Sequence, residues 1–185
     1  MIGLLGFTGK PNSGKSTAAR YISEKHGIPW INVGDSIKEM LGAYYRCRGL
    51  QEKEIARRLH GDLKEQPDHN LGGKTPRHAM QSRGKECRDL ISPFLFVDCW
   101  ADRVAAAGGS AVADGMRHAD EMGAFKKLDG ILVHIVRPVG SIESDHIAEQ
   151  LQLKPDTTIV NDGTIDDLLK KIDQLIIDVG WARAA

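Results

Sequence analysis

The chain has 185 residues, 41% hydrophobic and 27% charged, and its 25 basic residues balance 25 acidic ones. That length suits one domain with a real hydrophobic core. Zero net charge argues against a broad electrostatic footprint for duplex nucleic acid, while leaving room for a local cluster of arginines facing a small anion. Cys47, Cys87 and Cys99 are odd in number and far apart, without metal-ligand spacing. Reduced thiols in a cytoplasmic compartment are therefore expected, rather than a structural zinc. The apolar run Ile2 to Phe7 has no basic residues before it and is too short for a signal segment or a membrane span.

Short apolar runs alternate with amphipathic stretches, the pattern of an α/β protein with a mainly parallel sheet. A first strand is predicted over Ile2–Thr8 and a helix over Lys15–His26, stopped by Gly27 and Pro29. A second strand follows at Trp30–Val33, then helices at Ser36–Tyr45 and Gln51–His60. Gly61 to Lys74, with Pro67 and three glycines, reads as a long loop, of the kind that is often functional. Helices at Pro76–Ile91 and Phe96–Ala107 come next, then a strand at Ser110–Asp114 and a helix at Ala119–Leu128. The remaining elements are a strand at Ile131–Val136, a short helix at Ile142–Gln150, a strand at Thr157–Val160 and a helix at Ile165–Val179. Thr164 can cap that last helix, with Asp166 and Asp167 in its first turn. Trp30, Trp100 and Trp181 are expected to serve packing.

The strongest signal is Gly9-Lys-Pro-Asn12-Ser13-Gly14-Lys15-Ser16, followed by Thr17. It fits G-x-x-x-x-G-K-[ST] at every fixed position and lies between a predicted strand and a predicted helix, as a phosphate-binding loop must. Glycines let the backbone wrap phosphate oxygens, and the helix N-terminus offers free N–H groups to the anion. Lys15 should reach the β/γ-phosphates of ATP, and the Ser16 hydroxyl should ligate Mg²⁺. The loop does not name the acceptor.

Other polar groups fall where a ligand would sit. Asp114 ends an apolar strand, where an acid can hold Mg²⁺ through its waters or cap the following turn. Asp35 follows the second strand and could orient or deprotonate an acceptor; equally, Asp35 or Ser36 could cap the helix carrying Lys38. On the helix at 76–91, Arg77, Gln81, Gly84 and Arg88 share an arc of about 60°. The opposite side, Ala79, Met80, Cys87, Leu90 and Ile91, looks like the core face. Two guanidiniums can hold phosphate oxygens, a glutamine amide can pair with a base edge, and Gly84 leaves a gap; the competing reading is a solvated polar face. Arg117 could neutralise phosphate charge or pair with Asp120 or Glu121, and Arg137 follows the fourth strand.

Taken together, the chain resembles the bacteriophage-type deoxynucleoside monophosphate kinases, within the P-loop nucleoside and nucleotide kinases. Beyond the P-loop the likeness rests on Gly34-Asp35-Ser36-Ile37-Lys38-Glu39 and on Thr75-Pro76-Arg77 through Gln81 and Gly84 to Glu86. It continues in Asp114-Gly-Met-Arg117, Glu121, Arg137-Pro138, Ser144-Asp145-His146 and Asn161-Asp162-Gly163-Thr164. The resemblance implies a three-layer P-loop kinase domain over 1–185, built on a five-stranded parallel sheet of order 2-3-1-4-5. It also implies an acceptor-binding helical region at about 36–92 and a lid at about 138–152. The implied reaction moves the ATP γ-phosphoryl group, with Mg²⁺, to a deoxynucleoside 5′-monophosphate. Arg77 and Arg88 would hold the acceptor phosphate, Gln81 its base, and Asp35 and Lys38 would lie beside it. Lys15, Arg117 and Arg137 would stabilise transferred charge, and Asn161 would lie near the adenine. Neither nucleic acid nor membrane is an implied partner, and a homodimer is left open. Other readings are a dephospho-coenzyme A or shikimate type kinase, a non-catalytic nucleotide-binding regulator, and a polynucleotide end kinase or DNA-binding ATPase.

Overall fold

A computed structural model describes residues 3–116, 118–138 and 154–180. Arg117, Trp181, the helix expected at Ile142–Gln150 and the lid expected beyond Pro138 lie outside the described residues. The chain divides into two compact units, one made of Met1–Asn32 with Trp100–Ala185, the other of Val33–Cys99.

The first unit holds a parallel sheet of β1 (Leu4–Thr8), β2 (Ala111–Asp114), β3 (Ile131–Val136) and β4 (Thr157–Val160), in the order β2-β1-β3-β4. Central β1 is buried at every residue, which is why it reads as an unbroken apolar run rather than an alternating one. Register sets Phe7 beside Asp114 on one side and Val133 on the other. Helices α1 (Lys15–His26) and α7 (Ile165–Asp178) bury Ala18, Ala19, Ile22, Leu168 and Ile172 with Leu5, Phe7, Val133 and Ile135. Phe125, on α6 (Ala119–Lys127), lies against Gly6 of β1 and stacks on Trp100, which belongs to α5 (Leu95–Ala106), with ring centroids 5.9 Å apart. Thr164 and Asp167 cap α7 reciprocally, as its sequence suggests.

Among the described residues the sheet has four strands where five were expected. Trp30–Val33 contributes one parallel bridge, Trp30 to Val112, framed by hydrogen bonds from Ile31 N to Val112 O and from Val112 N to Pro29 O, both 2.9 Å. The expected order 2-3-1-4-5, without its edge strand, is the observed one. Pro29 has no N–H to extend the ladder, and α2 begins at Asp35, so the extended run between them is too short to propagate.

The second unit contains α2 (Asp35–Cys47), α3 (Glu52–Leu59) and α4 (Pro76–Leu90). The core face of α4 is rotated from the expected one. Pro76, Met80, Gly84 and Cys87 are buried, while Leu90 and Ile91 are 77% and 69% exposed. Leu90 is the last residue of the helix and Ile91 its C-cap, so both sit at an exposed helix end. Gly84 is not an open gap either. A Cβ there would lie 3.1 Å from Ile37 Cδ1 and 3.4 Å from an Arg88 guanidinium nitrogen, so the missing side chain admits α2.

The long loop after α3 is organised by a buried carboxylate. Asp68 accepts from Tyr45 OH and Arg58 Nε, each at 2.8 Å, and from the backbone and side-chain nitrogens of Asn70 at 2.9 Å. Burial alone would raise its pKa, but the donors, led by Asn70 N, outweigh that and hold it at about 2. Burial, with Asp68 beside it, pushes the Tyr45 phenol well above its ordinary value. A 3₁₀ turn, His69–Leu71, completes the loop.

Candidate active site

In the first unit the Gly9–Ser16 loop joins β1 to α1, at the carboxyl edge of the sheet. Gly9 has φ 137°, and a Cβ there would fall well inside contact distance of the Ile135 carbonyl oxygen. Gly14, the residue before α1, has φ 108°, and a Cβ would lie 2.9 Å from Asn161 Nδ2 and 2.8 Å from Leu168 Cδ2. Only glycine fits both conformation and space at these positions. Asn161 is buried after β4 and donates from Nδ2 to Ser13 O at 2.8 Å, which ties the loop to the β4–α7 connection. Lys15 folds back, Nζ donating to Lys10 O at 2.6 Å.

A cavity of about 330 Å³ opens here, lined by Asn12, Gly14, Lys15, Ser16 and Thr17 from the loop side. Arg137, Asn161, Gly163, Thr164, Ile165 and Leu168 line the rest. It joins cationic side chains and a helix N-terminus to an apolar wall, the combination a nucleotide needs.

Asp114 ends β2. Its Oδ2 accepts from the Ser16 hydroxyl and its Oδ1 accepts from Trp30 Nε1 at 2.9 Å, while its backbone N donates to Asn32 Oδ1 at 2.7 Å. A hydroxyl and a carboxylate in contact are hard oxygen donors that fit Mg²⁺. Among the described residues no group of three His, Cys, Asp or Glu is placed to hold a metal. The described residues thus offer a pair of ligands, suited to an ion that keeps waters and phosphate oxygens in its sphere. Trp30 does pack beside the core, but its hydrogen bond to Asp114 went unread in the sequence. The available signal was that Trp30 and Asn32 share one side of an extended segment.

In the second unit Asp35 pairs with Lys38, Nζ to Oδ1 at 2.7 Å, and neither Asp35 nor Ser36 caps α2. Burial, then the Lys38 charge, pulls the pKa of His60 down. Arg77 is bound to Glu65 through Nε, and Arg88 lies over the Phe96 ring at 5.3 Å. Gln81 is exposed. The arginines of the α4 arc thus already have neighbours, which the helical arc could not reveal.

A phosphate-binding loop at the edge of a parallel sheet, with a strand-end acid on its serine, defines a P-loop nucleotide-binding fold. The solved structure of TT1252 from Thermus thermophilus superposes with a TM-score of 0.51 at 17% identity, over 96% of this chain and 97% of that one. The chain matches no protein-family model. It is 26% identical over 188 residues to a protein of Acanthamoeba polyphaga mimivirus named "Putative deoxynucleotide monophosphate kinase", covering 91% of this chain and 93% of that protein. It is also 33% identical over 139 residues to a UPF0200 protein of Methanosarcina barkeri, covering 74% of this chain and 60% of that protein. Both likenesses are distant. Among the described residues no helix is long and apolar enough to cross a membrane.

Proposed function

We propose that this protein transfers the ATP γ-phosphoryl group, with Mg²⁺, to the 5′-phosphate of a deoxynucleoside monophosphate. The observation that carries the donor half is the Ser16–Asp114 pair beside the Gly9–Ser16 loop on a cavity of nucleotide-binding character. The acceptor half is supported by the name and near-full coverage of the mimivirus relative.

Phosphoryl transfer asks the protein mainly for alignment and charge neutralisation. Lys15 exchanges Lys10 O for the β/γ-phosphate oxygens, while the loop amides hold the phosphate chain. Ser16 and Asp114 would hold Mg²⁺, which would supply positive charge to the phosphates. Arg137 neutralises charge from the cavity wall, and Arg117 is assigned the same task from the sequence. Asn161 steadies the loop near the adenine. Arg77 and Arg88 receive the acceptor phosphate, Arg77 by giving up Glu65 and Arg88 from its place over Phe96, and Gln81 reads the base. An acceptor phosphate is already ionised near neutral pH, so Asp35 with Lys38 orients rather than removes a proton.

The test is an acceptor panel: four deoxy- and four ribonucleoside monophosphates, shikimate and dephospho-coenzyme A, each with ATP and Mg²⁺ and coupled detection of ADP. Rapid ADP formation with at least one deoxynucleotide is expected. Turnover confined to shikimate or dephospho-coenzyme A would overturn the acceptor assignment and leave the donor site standing. No acceptor-dependent ADP with any compound would overturn the phosphotransferase reading.

A further inference from the structure

The two side chains that hold Asp114 belong to a segment that does not line the cavity. Trp30 and Asn32 sit two residues apart on the short extended run beside β2. One gives its indole N–H to Asp114 Oδ1 at 2.9 Å, and the other accepts from the Asp114 backbone N–H at 2.7 Å. The Trp30–Val112 bridge fixes their register against β2. An indole has a single donor and no acceptor, so its bond takes one carboxylate oxygen and leaves Oδ2 for Ser16. Both side chains are partly buried. The indole also lies against the core cluster, so the donor is held by packing rather than by a flexible stem.

We propose that Trp30, seconded by Asn32, is a positioning residue for the metal site: it locks the Asp114 carboxylate so that Oδ2 faces the Ser16 hydroxyl and the cation. This role rests on the donor-site reading above. A carboxylate free to rotate would present either oxygen and would lose order when the metal binds. Groups that orient a ligand from behind are worth about 10–100-fold in metal affinity. The same bond makes Trp30 a built-in reporter. A cation drawing charge from Asp114 perturbs the hydrogen bond, and indole emission responds to that environment.

The test replaces Trp30 with 3-benzothienylalanine, which keeps the shape of the ring and substitutes sulfur for the N–H. A second variant is Trp30→Phe. Binding of a non-hydrolysable ATP analogue is titrated by calorimetry across a series of Mg²⁺ concentrations and without metal. Mn²⁺ binding in the presence of the analogue is read by electron paramagnetic resonance. The expected result is unchanged metal-free nucleotide affinity, with about a tenfold rise in the half-saturating metal concentration for the benzothienyl protein. Metal-dependent emission change should be present in the native chain and lost in Trp30→Phe. An unchanged metal requirement in the benzothienyl protein would overturn the role. So would an equal loss of affinity with and without metal, the signature of a merely structural contact. A native chain whose nucleotide affinity ignores the metal altogether would instead strike at the donor-site reading, and this role would go with it.

Discussion

Each side chain of the proposed donor site has an assignment that a single substitution can challenge. Lys15 is the one ammonium of the phosphate loop's fixed positions, and its present partner is a carbonyl of the same loop. Lys15→Ala should therefore lower turnover by about 10³-fold or more while leaving thermal stability near native. Near-native turnover would remove Lys15 from the chemistry. Gly9 is a different case, since its limits are steric. With φ 137° and the Ile135 carbonyl in the way, Gly9→Ala should cost about 2 kcal/mol or more of stability and abolish nucleotide binding. Chemical denaturation checks the first part and calorimetry the second; a native midpoint would show that the loop relaxes freely. Both residues were legible in the sequence, because a P-loop is eight consecutive positions whose geometry is local. The resemblance implies a place near the adenine for Asn161, but its bond to Ser13 O joins positions far apart in the chain and was not legible.

Among the described residues, α1 to α7 and the four sheet strands follow their sequence signals to within two residues, while the helix expected at Ile142–Gln150 lies outside them. Their ends carry local markers such as Thr164, Gly27 and Pro76. The α4 helix shows where that legibility stops. Periodicity located the helix but mis-set its buried face, because Gly84 reads as a gap until the helix that fills it is in view. The loop after α3 was recognised by composition alone, and its anchor, Asp68, went unnoticed among twenty-five acids. The Asp68 pKa of about 2 lies below its ordinary value of 3.8. Its contribution, of about 2 kcal/mol, is thus fully present above pH 5 and lost as pH falls from about 4 through 2. Urea denaturation of the native chain should weaken over that window, and Asp68→Asn should flatten that part of the profile. Asp68→Ala, which leaves Arg58 without its carboxylate, should cost about 3 kcal/mol or more at pH 7. A native-like acid profile in Asp68→Asn would show that other carboxylates govern the decline.

For the whole molecule, ligand linkage gives the broadest check. A nucleotide that binds the folded chain alone stabilises it by about 2.7 kcal/mol at a hundredfold excess over Kd. For a chain of this size that is a rise of about 5–10 °C in Tm. A non-hydrolysable ATP analogue should produce this shift with Mg²⁺ present, and the absence of any shift would contradict a nucleotide site. By itself the sequence determined the α/β class, the alternation of elements and the phosphate loop, since each is written in adjacent residues or in a repeat of two or 3.6 positions. The tertiary structure alone decided that the second extended run is a brace rather than a strand, that Trp30 reaches Asp114 across 84 positions, and that α4 turns Gly84 inward. Those outcomes depend on which distant surfaces meet. Strand register and helix docking set that, and no local pattern in the chain encodes it.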